Sequence, residues 1–239
     1  EPFVEEIKSY AVNYFRKILS NLGWEPKKSD KHTDALLRTF AIAVLGKMND
    51  EIVTDEAIKK YKKFLKSPRS LSPDLIETIC SIAAWNGNSK TFAELKKLYT
   101  NAKTMEEKLR FLGAMCGFQD KKLLVKTLDF SQTSAVRSQN MQLPIMKIAG
   151  NPYGDKVLWS WLKKNWKKIN KKVGHGNPLF NRIVASITGV ADDSMEKEIK
   201  LFFKNNPTPG TERTQSQTLE RIRINSKFLR TMRKEFKNG

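Results

Sequence analysis

The chain has 239 residues and is strongly basic, with 44 Lys and Arg against 25 Asp and Glu and a formal net charge of +19. Its 39% apolar and 29% charged residues are typical of a globular protein and exclude a disordered or fibrous chain. No uninterrupted apolar run of roughly eighteen residues occurs, so the sequence predicts no membrane-spanning helix.

Apolar residues recur every three to four positions along the chain, which predicts helices and essentially no strands. The first predicted helix ends at Gly23, and its apolar stripe consists of Phe3, Ile7, Tyr10, Tyr14, Ile18 and Leu22. In the second predicted helix the apolar positions are Leu36, Leu37, Phe40, Val44 and Leu45. A third helix is predicted to start at Thr54 or Asp55.

The middle of the chain continues this pattern with shorter helices. Ser72-Pro73 is a typical helix start, because Ser caps the first turn and Pro suits the first helical position. Helices are predicted at about residues 73–86, 91–99, 105–116, 121–128 and 135–149.

A turn at residues 150–154 (Gly-Asn-Pro-Tyr-Gly) then leads into a helix with a ridge of large apolar side chains. The ridge consists of Val157, Leu158, Trp161, Leu162, Trp166, Ile169 and Val173. Its opposite face carries Lys163, Lys164, Lys167, Lys168, Lys171 and Lys172. We therefore expect the ridge in the core and the lysines in solvent. Three more helices are predicted at about residues 178–188, at 194–204 and from 211 onward.

This succession of helices joined by short polar turns predicts an all-α fold. Short connections favour antiparallel neighbours, so we expect an irregular solenoid of antiparallel helix pairs, similar to a HEAT or armadillo superhelix. No fixed sequence period is present, and we expect residues 1–239 to form a single helical-repeat domain.

Several segments, in the same order along the chain, resemble the carboxy-terminal helical domain of the zinc aminopeptidases that include puromycin-sensitive aminopeptidase, aminopeptidase N and the tricorn-interacting factors. They are residues 136–140 (Val-Arg-Ser-Gln-Asn), the turn and Trp-rich helix, Phe202-Phe203, residues 206–214 (Asn-Pro-Thr-Pro-Gly-Thr-Glu-Arg-Thr) and the last helix. Asn140 stands where the family pattern usually has Asp. The resemblance implies that this chain follows a catalytic domain in a longer aminopeptidase.

The resemblance also implies a function without catalysis. In the family this domain closes over the catalytic domain and encloses a cavity, which selects peptides by size and binds them. The catalytic domain holds zinc through His-Glu-x-x-His, but neither His32 nor His175 begins such a motif here. We therefore expect no catalytic residue, metal site or cofactor in this chain, zinc in the parent's catalytic domain, and that domain and peptides as partners.

Three residues in the family-like segments are candidate contacts. Arg137 and Gln139 lie between two predicted helices, where they could contact a peptide or the catalytic domain, or bond backbone carbonyls of their own turn. Arg213 is expected as a buried ion-pair partner, with a contact to a ligand as the alternative.

The positive charge leaves one function of another class open. A free-standing basic helical-repeat scaffold could bind nucleic acid or an acidic protein partner. However, Lys outnumbers Arg 33 to 11, whereas reading of bases favours the Arg fork. The Lys residues also recur on the predicted outer faces of most helices, so we expect a solvated surface and rank nucleic acid second.

The N-terminus and the two cysteines bear on whether the chain is part of a longer protein and on its cellular location. The sequence begins Glu-Pro-Phe-Val-Glu-Glu, with neither an initiator Met nor a signal-peptide pattern, and we expect it to be part of a longer protein. Cys80 and Cys116 fall on predicted apolar helix faces and offer no disulfide framework. We therefore expect buried, free thiols and a cytoplasmic location.

Overall fold

A computed structural model describes residues 2–173, 177–189 and 193–236, and within these ranges the chain forms twelve α-helices and no strand. The predicted all-α class is confirmed. None of these helices is both long enough and apolar enough to cross a membrane. The helices are α1 Pro2–Leu22, α2 His32–Lys47, α3 Glu51–Lys66, α4 Pro73–Trp85, α5 Ser89–Asn101, α6 Met105–Ala114, α7 Lys121–Ser131, α8 Gln142–Ala149, α9 Asp155–Val173, α10 Pro178–Ala185, α11 Asp193–Asn205 and α12 Glu212–Glu235.

The helices group into two compact units, residues 1–118 with α1–α6 and residues 119–239 with α7–α12. In the first unit α4 is central and packs against α2, α3, α5 and α6. A methyl group on Gly46 of α2 would lie 2.5 Å from the side chain of Ile82 in α4. Glycine at this position therefore permits the close approach of the two helices. The solenoid arrangement and the single domain over residues 1–239 stay predictions.

The buried face of α2 differs from the predicted one. Leu36 and Phe40 are largely exposed, whereas Arg38 is almost fully buried. The Arg38 guanidinium donates to the backbone carbonyls of Leu22 and Gly23, at 3.2 and 2.9 Å, and to the Asp30 carboxylate. Because it satisfies carbonyls at the end of α1 that have no helical partner, an arginine occupies a position that apolar periodicity assigns to solvent.

Two helix boundaries also differ from prediction. Helix α3 begins at Glu51, because the Asp50 side chain caps it by accepting a hydrogen bond from the Val53 N–H at 2.9 Å. The helix predicted over 135–149 is instead a 3-10 turn at Ser138–Asn140 followed by α8. Pro144 lies in the first turn of α8 and lacks an N–H, so a helix could not continue from residue 140 without losing a hydrogen bond.

In the second unit α9 lies among α7, α8 and α10. Its buried residues are Leu158, Trp159, Trp161, Leu162, Asn165, Trp166 and Ile169, which confirms most of the predicted ridge. Val157 and Val173, at the two ends of that ridge, are only half-buried. Helix α12 packs against α10 and α11. In the first unit, Cys80 and Cys116 are both buried thiols outside any disulfide, as predicted.

Candidate functional site

The turn that leads into α9 depends on a glycine. The Gly154 N–H donates to the Asn151 carbonyl at 2.7 Å, and the Tyr153 N–H donates to the Asn151 side chain at 2.9 Å. A methyl group on Gly154 would lie 2.0 Å from the carbonyl oxygen of Ile148. Any larger residue would therefore push α8 away from the start of α9 and change the direction in which α9 leaves the turn.

The aromatic residues of α9 contact three neighbouring helices. Trp159 contacts Phe202 of α11 edge to face at 5.1 Å between ring centroids, and Trp166 contacts Phe180 of α10 at 5.1 Å and Phe202 at 5.2 Å. On the other side, the Trp161 indole N–H donates to the Asp129 carboxylate of α7 at 2.8 Å. The tryptophans and Phe202-Phe203, which carry the family resemblance, are therefore packing residues.

The lysines of α9 do not all have the predicted position in solvent. Lys163, Lys164, Lys167, Lys168 and Lys171 are exposed as predicted, but Lys172 is half-buried. Its ammonium group donates to the Gln132 carbonyl at the end of α7, at 3.0 Å. The expected position of Lys172 in solvent was wrong, because a backbone carbonyl at a helix C-terminus is a favourable partner for a cation.

Lys163 is exposed but paired. Its ammonium group donates to the Glu198 carboxylate of α11, and this hydrogen bond holds the pKa of Glu198 below its usual value. The same group lies 5.5 Å from the centroid of the Trp159 ring. Lys164, the next residue, forms no ion pair with any described carboxylate. The charge of Lys163 is therefore balanced by a carboxylate, whereas the charge of Lys164 is not.

Lys164 borders a groove of about 610 Å³ between α7 and α9, here called the lysine groove. This volume lies in the range of ordinary ligand pockets. The groove was not predicted from the sequence. The lysines of α7 and of α9 can be seen in the sequence, but a single sequence carries no signal that these two helices are neighbours. Its lining residues are Lys121, Lys122, Val125, Asp129, Lys156, Val157, Ser160, Trp161, Lys164, Asn165 and Lys168.

A second cavity of about 520 Å³ lies in the first unit, among α2, α4 and α6. Its walls combine the exposed apolar side chains of Leu36 and Phe40 with Asp74, Glu77 and Arg110. His32, at the start of α2, also lines it. This cavity has charges of both signs, so it does not select for the sign of a ligand.

The structure does not bring the three predicted contact residues into one cluster. Arg137 and Gln139 are exposed next to the 3-10 turn before α8, and Arg213 is exposed in the first turn of α12. Among the described residues, none of the three side chains forms a hydrogen bond or ion pair. The prediction of a buried ion pair for Arg213 was therefore wrong. The acid beside it, Glu212, instead accepts from the Gly210 N–H at 3.0 Å.

The described residues show no arrangement suited to zinc. No group of three or more His, Cys, Asp and Glu side chains within ranges 2–173, 177–189 and 193–236 could hold a metal ion. His32 is exposed, while His175 lies outside the described residues. Burial raises the pKa of the Cys80 thiol, which disfavours the thiolate that metals bind.

Known proteins similar to this chain are aminopeptidases. It is 29% identical over 234 residues to Aminopeptidase M1-D of Oryza sativa subsp. japonica, covering 96% of this chain and 27% of that protein. Aminopeptidase M1 of Arabidopsis thaliana is 26% identical over 234 residues, with 96% of this chain and 26% of that protein covered.

A fungal protein gives the same picture. Aminopeptidase 2, mitochondrial, of Saccharomyces cerevisiae is 27% identical over 232 residues, which cover 94% of this chain and 24% of that protein. The chain thus spans about a quarter of the length of these relatives. The model of the ERAP1-like C-terminal domain family matches residues 1–224, through both compact units. Because the match covers most of its length, the resemblance found in the sequence is confirmed, and the chain belongs to the family of ERAP1-like C-terminal domains.

Proposed function

We propose that this chain is the non-catalytic C-terminal domain of a zinc metallo-aminopeptidase, which closes over the catalytic domain in cis and encloses a cavity that holds peptides and selects them by size. The observation that carries the proposal is the family match over residues 1–224, together with relatives that are all named aminopeptidases. Zinc and the hydrolytic chemistry belong to the catalytic domain of the parent protein.

The sequence supports a role without bond cleavage. His-Glu-x-x-His does not occur in the chain, so the paired imidazoles and the general base of a zinc aminopeptidase must come from elsewhere. What the domain contributes to the reaction is then the volume around the zinc site and the surface that a bound peptide touches.

An exposed apolar face supports the proposal that other domains of the parent protein pack against this chain. On α1 and α2, Tyr10 stacks on Tyr14, Tyr14 meets Phe15 edge to face, and Phe15 meets Phe40 at 5.5 Å between ring centroids. Tyr10 is 74% exposed and Phe40 is 56% exposed. Large connected apolar patches are unusual on proteins without a partner, so we propose that the parent's remaining domains cover this face.

Arg137, Gln139 and Arg213 belong to the same proposal. All three are exposed with no partner among the described residues, so their charges and amide are available to a peptide or to the catalytic domain.

The cytoplasmic location stays a prediction. The nucleic-acid scaffold ranks second, since its support is the net charge of +19 alone.

The division of chemistry can be tested directly with aminoacyl-coumarin substrates and metal analysis. The purified chain should show neither turnover nor stoichiometric zinc after gel filtration, whereas the longer protein that contains it should show both. Zinc-dependent turnover that stays with the isolated chain through gel filtration would contradict the proposal.

A further inference from the structure

The lysine groove is positive on its rim and apolar on its floor. Lys121, Lys122, Lys156, Lys164 and Lys168 are exposed along it, whereas Val125 and Val157 are half-buried and Trp161 is buried. Among the described residues, none of these five lysines forms an ion pair. Asp129 is the single acid in the lining, and the Trp161 indole N–H already donates to it.

The placement of these lysines favours an anionic ligand. Lys164 and Lys168 are four residues apart on one helix, where like charges repel each other, and Lys121 and Lys122 face them from α7. An anion between the two helices would relieve this repulsion. Lys163 and Lys172 of the same helix already have partners, Glu198 and the Gln132 carbonyl, whereas Lys164 and Lys168 in the groove form no ion pair with a described residue.

The lining fits a peptide better than a nucleic acid. The lining contains no arginine, and its one aromatic ring, that of Trp161, is 4% exposed and so offers no face on which a base could stack. Ser160 and Asn165 supply groups for a peptide backbone. The Asn165 amide nitrogen donates to the Trp161 carbonyl at 3.0 Å, which leaves the Asn165 side-chain oxygen as an acceptor.

We propose that the lysine groove binds an extended, carboxylate-rich segment of a peptide, so that the domain favours acidic peptides among those it holds. Asp and Glu side chains of the ligand pair with the lysines of the rim, while its aliphatic groups lie on Val125 and Val157. The inference rests on the proposed peptide-holding function, which names no preference for charge.

Binding of a fluorescent peptide to the full 239-residue chain tests the proposal. The probe is a short peptide rich in Glu, compared with the same peptide carrying Gln at each Glu, at about 0.15 M salt, where long-range attraction is screened beyond roughly 8 Å. Fluorescence anisotropy should show the Glu peptide binding and the Gln peptide binding at least about tenfold more weakly.

Two paired variants separate the groove from the general charge. K164Q/K168Q removes two rim lysines, whereas K167Q/K171Q removes two exposed lysines of the same helix that do not line the groove and changes the net charge equally. The groove variant should weaken binding of the Glu peptide about tenfold, since each exposed charge contact contributes roughly a factor of three. The control variant should change it less than about twofold. Circular dichroism should confirm that both variants are folded.

Three results would overturn the proposal. They are equal binding of the Glu and Gln peptides, equal loss of affinity in both variants, and duplex DNA that competes as well as the Glu peptide and depends on Lys164 and Lys168. Failure of the proposed peptide-holding function is detected separately: the longer protein would then show no selection of peptides by size.

Discussion

Asp155 shows how one half-buried carboxyl responds to its surroundings. It lies in the first turn of α9, where the helix dipole favours a charged acid, but it also borders a small enclosed space lined by Ala149, Leu158, Trp159 and Ile187. Burial is the stronger influence and raises the pKa of Asp155 to about 6. The carboxyl is therefore partly protonated under mildly acidic conditions.

This pKa predicts a dependence of stability on pH. Between about pH 4, the unfolded pKa, and pH 6, the folded state binds more protons at Asp155 than the unfolded state does, so stability falls as pH rises through this window. Asp155→Asn removes the titration. The variant should gain roughly 1 kcal/mol over the native chain above about pH 7, where half-exposure of the group limits the effect, and little near pH 4.

Urea unfolding of both chains at the two pH values measures this difference, in which the titration of all other groups cancels. A variant that is less stable than the native chain at neutral pH would show that the ionised carboxylate contributes favourably to α9. The account of Asp155 would then be wrong.

At the scale of the helix, α9 organises the second unit because its large side chains reach neighbours on two sides. Trp159 and Trp166 pack against aromatic residues of α10 and α11, and Trp161 reaches α7. The three indoles could not share one face at helical spacing, and the sequence pattern predicted core positions for Trp161 and Trp166. Both positions are confirmed, and Trp159, which the predicted ridge did not include, is almost fully buried as well.

Truncation of this ridge should be costly. Trp161→Ala and Trp166→Ala should each lower the free energy of unfolding by roughly 3–5 kcal/mol, because each leaves a cavity and removes a large apolar surface. Phe228→Ala serves as the control, since Phe228 is 62% exposed and its removal should change stability by no more than about 0.5 kcal/mol. Denaturant unfolding measures all three. A loss below about 1 kcal/mol for Trp161→Ala would show that the ridge is not core.

Prediction from the sequence succeeded where local residues determine a helix start. It failed where contacts with another helix determine which side chains are buried. Ser72-Pro73 and the turn before α9 mark their helix starts locally, and both starts were predicted, although the Ser72 side chain forms no capping hydrogen bond. The buried face of α2 was not predicted. Arg38 is buried because it donates to a backbone carbonyl at the end of α1, and its position in α2 gives no sign of this partner. The lysine groove likewise requires knowledge that α7 and α9 are neighbours.

For the whole molecule, the net charge of +19 predicts attraction to any polyanion at low salt. If the chain has no nucleic-acid site, duplex DNA should bind weakly and without sequence preference, and this binding should disappear by about 0.2 M salt, as expected for contact with phosphates alone. A salt titration with two unrelated duplexes measures it. Sequence-selective binding that persists at this salt would promote the nucleic-acid scaffold to first place.

The central claim is that the domain encloses the zinc site of a longer aminopeptidase and limits the size of its substrates. The most direct test uses the longer protein with two substrates that share the same N-terminal residues, a short free peptide and that peptide joined closely to a small folded domain. Equal N-terminal residues keep contacts with the substrate's first side chain constant. Release of the N-terminal amino acid should proceed from the short peptide and be lower by orders of magnitude from the fusion. Equal rates for the two substrates would contradict enclosure.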